Sequence, residues 1–280
     1  MTKKILLITL LAITFSFCKA QPISDLVDNF TTFSCFVVTQ KNNKPLNFAT
    51  GFFLRSSDSI TYFITNNHVA GLEYFVNEYK EMSGVMPADS SIPDKLNIRI
   101  YDTSYGKFSL MNVDLVKNGT STCIKFYENE KNPATLLDII AIPLDKNQSK
   151  IINPKFVLDK SYTEKNLLLS PATDLFVVGF PLNYGSNSLL PIWKKGTVAS
   201  EANLLKVGES SFFIDGTSRK GMSGSPVYYR MLSLEGNADY TASRGSITYL
   251  VGIYSAQSTD AELGTVTRLE KVFEKLNKKK

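Results

Sequence analysis

The chain has 280 residues, 43% hydrophobic and 20% charged, with 16 glycines, three cysteines and a single histidine, His68. That composition excludes a disordered tail, a collagen-like repeat and a cysteine-dense mini-scaffold, and it disfavours any chemistry that needs two imidazoles, so no metal and no cofactor are expected. The formal charge of +5 is carried by the ends, since Lys3, Lys4, Lys19 and the run Lys278-Lys279-Lys280 account for it, and a body near neutrality is not the footprint of a nucleic-acid groove.

In chain order, Lys3 and Lys4 precede an uncharged run from Ile5 to Phe17, and Cys18-Lys19-Ala20 places a small residue just before Gln21. This is the pattern of a signal peptide over residues 1–20, cleaved near Ala20. The apolar run is too short for a spanning helix, which needs about 20 residues, and no later segment reads as a membrane span. A secreted or periplasmic protein is expected. A lipid anchor at Cys18 is the lesser alternative, because Phe17 does not suit the small residue usual before a lipidated cysteine.

From residue 30 onward the sequence is a series of short β-type runs separated by polar turns. They include Phe36 to Thr39, Gly51 to Leu54, Tyr62 to Thr65, Leu96 to Tyr101, Leu136 to Leu144, Leu175 to Phe180, Ser211 to Ile214, Ser225 to Tyr229 and Tyr249 to Ser255. They are rich in Phe, Tyr, Ile, Val and Thr and bounded by turn residues. A helical period is weakly suggested over Ala70 to Glu78, and residues 78–96 read as an inserted surface loop. The last segment differs: Leu269, Val272, Phe273 and Leu276 fall at i, i+3, i+4 and i+7, which predicts an amphipathic helix over Val266 to Asn277. Many short strands closed by one helix predict an all-β protein of barrels or a sandwich. A polar, Lys-rich stretch from Asp159 to Asn166 divides the mature chain into residues 21–160 and 161–280. Cys35 and Cys123 both sit in strand-like stretches, and an oxidising compartment leaves a disulfide and two buried thiols equally open.

Three segments carry chemistry. Lys220-Gly221-Met222-Ser223-Gly224-Ser225-Pro226-Val227 is a glycine-flanked turn running into a strand. Flanking glycines let a serine hydroxyl stand clear of its backbone, with the N–H groups of Gly221 and Ser223 converging as an oxyanion hole. No helix follows this serine, so it is not the nucleophile elbow of an α/β-hydrolase. Ile64-Thr65-Asn66-Asn67-His68-Val69 ends a strand in a turn that bears the sole histidine. Leu136-Leu137-Asp138-Ile139-Ile140-Ala141-Ile142 embeds an acid in an apolar strand, which is costly unless partners satisfy it. Taken together, Asp138 would orient His68, and His68 would deprotonate Ser223. Asp114 and Asp145 are weaker rivals for the acidic role.

The order His, Asp, Ser in an all-β chain with an export signal resembles the trypsin/chymotrypsin-type serine peptidases, and most closely their compact bacterial, glutamyl-endopeptidase-like forms. The matching blocks are Ala49-Thr50-Gly51-Phe52-Phe53-Leu54 and the three segments above, with weaker matches at Val177-Val178-Gly179-Phe180-Pro181 and Val251-Gly252-Ile253-Tyr254-Ser255. The resemblance implies a chymotrypsin-like fold of two antiparallel six-stranded β-barrels with a C-terminal α-helix, the triad lying at their junction. The first barrel would supply His68 and Asp138 and the second Ser223. It implies a peptide or protein substrate whose backbone pairs with Tyr254, Ser255 and Ala256, and a specificity pocket lined by Thr217 and Ser218. No acid stands at Thr217, which disfavours a preference for Arg or Lys. Arg219 and Lys220 would suit an acidic residue, but the second histidine of the glutamyl-specific forms is absent, so the preference stays open. Met222 replaces the Asp that zymogen-type members use to pair with a newly cut N-terminus. An exported serine endopeptidase is therefore expected, with a catalytically idle binding module on the same fold, or an esterase at the same site, as the alternatives.

Overall fold

A computed structural model describes residues 27–71, 92–102, 107–132, 135–164, 167–183, 190–204, 210–216, 219–236, 242–258 and 262–277. A 3-10 turn over Asn29–Phe33 leads into β1 (Ser34–Lys41), β2 (Lys44–Arg55) and β3 (Thr61–Thr65). They are followed by β4 (Lys95–Asp102), β5 (Lys107–Asp114), the short β6 (Val116–Lys117) and β7 (Thr120–Ser121), β8 (Ile124–Tyr127) and β9 (Leu136–Pro143). A helix, α1 (Lys146–Ile151), and β10 (Val157–Leu158) come next. The second half contains β11 (Asp174–Gly179), β12 (Ile192–Val198), β13 (Ser211–Asp215), β14 (Pro226–Gly236), β15 (Ala242–Ser258) and β16 (Leu263–Arg268), and ends in α2 (Glu270–Leu276).

The second half closes into a six-stranded barrel in the order β11-β12-β13-β16-β15-β14. The first half is an eight-stranded sheet in the order β5-β4-β1-β2-β3-β9-β8, with β10 added in parallel along β2. The all-β class expected from the sequence is the class observed, and one of the two expected six-stranded barrels closes, with a difference in the first half. Among the described residues its end strands β5 and β8 share no ladder, so this sheet does not close by hydrogen bonds, and the β6–β7 ribbon lies between them in the chain.

Three cores explain why the strands read as apolar runs and not as clean alternation. Phe53 of β2, Phe63 of β3 and Ile140 and Ile142 of β9 point into the curled sheet, where they meet Val37, Leu96, Ile98, Met111 and Val113. Their immediate neighbours Phe52, Leu54, Tyr62, Ile64, Ile139 and Ala141 point the other way, into a layer shared with Val178, Tyr228, Leu250 and Ile253 of the barrel. Successive side chains alternate between faces, and both faces are buried, so the pattern in sequence is continuous. A third core fills the barrel with Leu175, Val177, Phe212, Ile214, Met222, Val227 and Val266.

The C-terminal helix is shorter than its periodicity predicts. Val266 to Arg268 belong to β16, where Val266 lies opposite Phe212, and helix α2 starts only at Glu270. Leu269, Val272, Phe273 and Leu276 do join the layer between the halves. Each such burial contributes on the order of 1.5–3 kcal/mol, which holds a helix far too short to persist alone. Most of the loop expected over residues 78–96 lies outside the described residues, and β4 already begins at Lys95. Of the helix suggested over Ala70 to Glu78, Ala70 closes a 3-10 turn, Gly71 follows it, and the remainder lies outside the described residues, as does the signal segment. Helix α1 was not anticipated, although Asp145 and Gln148 form a complete capping box at its start.

Among the described residues no helix is long and apolar enough to cross a membrane. Cys35 and Cys123 are both thiols packed on the core of the curled sheet. Burial pushes the Cys35 thiol up to about 12.

Candidate active site

His68 owes its place to the end of β3. Thr65 pairs with Ile140 of β9, so continuing that antiparallel register two residues brings Asp138 level with Asn67, beside the turn His68–Ala70. Gly71 adopts φ 67 and returns its N–H to the carbonyl of His68, ending the turn. The Asp138 carboxylate grips this turn twice. Its Oδ1 accepts the main-chain N–H of His68 at 2.9 Å, and its Oδ2 lies 2.7 Å from His68 Nδ1. An ionised carboxylate only accepts, so this contact places the proton on Nδ1 and leaves Nε2 as the basic nitrogen. The side chains of His68 and Asp138 are 23% and 11% exposed, which keeps the pair at the surface but shields its carboxylate from bulk water. The rival acids are elsewhere: Asp145 caps α1 through the N–H groups of Asn147 and Gln148, and Asp114 is exposed at the end of β5.

Ser223 sits in the turn that feeds β14, and almost every main-chain group around it is committed. The carbonyls of Lys220, Met222 and Ser223 accept from Leu182, Ser225 and Thr50, and that of Gly221 accepts Thr50 Oγ1 at 2.7 Å. The N–H groups of Met222, Gly224 and Ser225 donate to Arg219, Tyr254 and Met222. Among the described residues, the N–H groups of Gly221 and Ser223 have no acceptor. Glycine is needed at both flanks. Gly221 has φ 96 and a Cβ there would fall 2.3 Å from the Phe180 carbonyl; Gly224 has φ 84 and its Cβ would fall 2.0 Å from the Thr50 carbonyl. The Ser223 hydroxyl lies 3.5 Å from the carbonyl oxygen of Ser255.

The strand beside this serine is β15. Its pairing with β14 stops at Ile253, and its pairing with β16 slips between Tyr254 and Gln257. Past Tyr254, β15 therefore has no strand neighbour on the β14 side among the described residues. The backbone of Ser255 and Ala256 lies along this edge. Tyr254 contributes only its main chain here, because its ring is buried in the barrel core with Met222. Thr217 and Ser218 lie outside the described residues. Tyr254, Met222, Gly216 and Lys194 line a small cavity of about 10 Å³ beside the serine turn, room for roughly one water. Burial, and then the charge of Arg219, lower the pKa of the Lys194 ammonium.

The structure adds two residues that the sequence reading overlooked. Thr50 holds the serine turn through its N–H and hydroxyl, and Asn66, fully buried, donates to both Asp138 and Ser255. The one available signal for Asn66 was a polar pair, Asn66-Asn67, ending an apolar strand, both of them completely buried. Among the described residues no group of three His, Cys, Asp or Glu side chains is placed to hold a metal ion.

No protein-family model matches the chain, and no curated protein matches it. Among solved structures it is similar to a serine endoprotease from Yersinia pestis, at 15% identity and a TM-score of 0.46, covering 91% of this chain and 66% of the other. It is similar also to catalytically active tobacco etch virus protease complexed with product, at 13% identity and a TM-score of 0.46, covering 89% of this chain and 79% of the other.

Proposed function

We propose that the chain is an exported serine endopeptidase that cleaves peptide bonds through His68, Asp138 and Ser223. The observation that carries this reading is the double grip of Asp138 on the main chain and ring of His68, in a fold that also holds a glycine-framed serine against β15. In the proposed cycle the Ser223 hydroxyl leaves the Ser255 carbonyl and passes its proton to His68 Nε2 as Oγ attacks the substrate carbonyl carbon. Asp138 stabilises the imidazolium that forms. The negative charge on the carbonyl oxygen is met by the N–H groups of Gly221 and Ser223, which is where such catalysis gains most. His68 then gives its proton to the departing amine. Water, deprotonated by the same imidazole, hydrolyses the acyl ester and restores Ser223.

The substrate is a polypeptide whose extended backbone adds to the open edge of β15 at Ser255 and Ala256, the feature that favours a peptide over a simple ester. Met222 is buried in the barrel core and has no charge to pair with a new N-terminal ammonium, so activity does not depend on making one. Export rests on the pattern of residues 1–20, and the secreted protein should begin at Gln21.

The test is labelling of the mature protein by a fluorophosphonate probe, followed by profiling with a mixed peptide library. The wild type should be labelled and should cleave peptides, whereas Ser223→Ala should do neither. Equal labelling of both proteins overturns the assignment of Ser223. Labelling without cleavage of any peptide or protein overturns the peptidase reading.

A further inference from the structure

Asn66 is fully buried and its amide spans the junction between the two halves. Nδ2 donates to the main-chain oxygen of Asp138 in β9 at 2.6 Å and to Oγ of Ser255 in β15 at 3.2 Å. The orientation is fixed by chemistry, because a carbonyl can only accept and so the NH₂ must face Asp138. Ser255 Oγ, having accepted from Asn66, lies 3.4 Å from Thr267 Oγ1, which lies 2.9 Å from Ser211 Oγ. A polar chain thus runs from the sheet through Asn66 into the wall of the barrel. At the same time Asn66 Oδ1 is buried with no partner among the described residues, a cost that a small apolar residue would avoid.

Each end of this bridge holds one part of the proposed triad. Asp138 carries His68, and the carbonyl of Ser255 is the neighbour of the Ser223 hydroxyl. Other ties cross the junction as well: Thr50 of β2 donates to the carbonyls of Ser223 and Gly221, and Ser34 Oγ to that of Val178, around apolar contacts such as Ile64, Ala141 and Ile253. Apolar packing is non-directional, and the bonds of Thr50 and Ser34 fix the serine side of the junction against β2 and β1; the amide of Asn66 differs in ending on Asp138 itself, the residue that carries His68. We infer that Asn66 is a positioning residue, which registers Asp138 and His68 against Ser223 by tying β9 to β15. The inference rests on the triad reading and adds to it a device that sets the Asp138 side of the triad against the strand beside Ser223.

The experiment compares the wild type, Asn66→Ala, Ser255→Ala and the double variant. Turnover of a cleaved peptide is measured per active site titrated with the fluorophosphonate, below each melting temperature. Asn66 touches no substrate, so the loss should fall on kcat: about tenfold or more for Asn66→Ala, with KM within about twofold. Ser255→Ala keeps the carbonyl but deletes one acceptor and should lower kcat about threefold; the double variant should lose no more than Asn66→Ala alone. A merely structural role would reduce the number of titratable sites and leave kcat per site unchanged, and that result overturns the inference. Should Asn66→Ala fail to fold, wild-type kcat in folded Ser255→Ala overturns it equally. An unlabelled wild type refutes the triad reading instead, which separates the two failures.

Discussion

His68 and Asp138 are joined twice, at 2.9 Å through the main chain of the histidine and at 2.7 Å through its ring. The first bond fixes where the turn stands, and the second fixes which nitrogen carries the proton. Asp138→Asn would preserve the shape, but its Nδ2 opposite Nδ1 would favour the wrong tautomer. Peptide turnover at neutral pH should fall by about three to four orders of magnitude, the scale known for this change in a serine triad, with little change in melting temperature. The control is Asp145→Ala, which removes the cap of α1 and should cost roughly 1 kcal/mol of stability while leaving turnover as it was. Loss of turnover in Asp145→Ala and not in Asp138→Asn would reverse the assignment.

The two glycines with positive φ at the serine turn differ from a third one elsewhere. Gly224→Ala must push a methyl group into the Thr50 carbonyl, which also breaks the register of Thr50 with Ser223. Gly119 has φ 74 but nothing within 4 Å of its hypothetical Cβ. Gly119→Ala should therefore cost only the left-handed backbone penalty of about 1–2 kcal/mol with activity intact. Gly224→Ala should abolish labelling of Ser223 and destabilise by more. Denaturant titration and probe labelling of the two variants side by side decide this.

Cys35 supplies a pH dependence with a definite sign. Its thiol is buried and its pKa is raised to about 12 by desolvation, so the folded state holds its proton more tightly than the unfolded chain does. The resulting stability is fully present below the unfolded thiol pKa of about 8.5 and is lost as the pH climbs toward 12, by at most roughly 1–2 kcal/mol per pH unit. Unfolding free energy should fall between pH 9 and 11, and Cys35→Ala should flatten that fall. The flattening should be partial, because burial raises the Tyr228 phenol in the same direction. At pH 8 a thiol reagent should reach Cys123, which is partly exposed, before Cys35. An unchanged alkaline slope in Cys35→Ala would refute the account.

His68 and Ser223 were legible as chemistry because each stands in a short block whose residue types are dictated by local geometry: a strand-end turn and a glycine-framed turn. Asp138 was legible as an anomaly, an acid inside an apolar run, and was preferred there over Asp114 and Asp145; what the sequence did not show is the pairing of Thr65 with Ile140 that sets it beside the His68 turn. Asn66 and Thr50 were not legible as site residues. Their contacts reach partners 72, 189 and 171 residues away, and no local pattern records a contact at that distance. The end of β16 and the start of α2 were confused for a related reason: Val266 satisfies a helical period and a strand pattern alike, and its partner Phe212 in β13 settles the matter.

Chain-local physics was sufficient for the class of the protein. Short β-branched and aromatic runs, turn residues at their ends and an amphipathic tail at 269–276 follow from side-chain shape and from which atoms avoid water. The count of one histidine likewise named the only imidazole on which such a mechanism can draw. What folding added was relative position. Because β2, β3 and β9 are buried on both faces, their sequence does not say which face meets which core, nor whether the first sheet closes. The placing of His68, Asp138 and Ser223 about one junction depends on long-range ladders and on hydrogen bonds such as those of Asn66. Those interactions are directional and pairwise, and they exist only once both partners are in place.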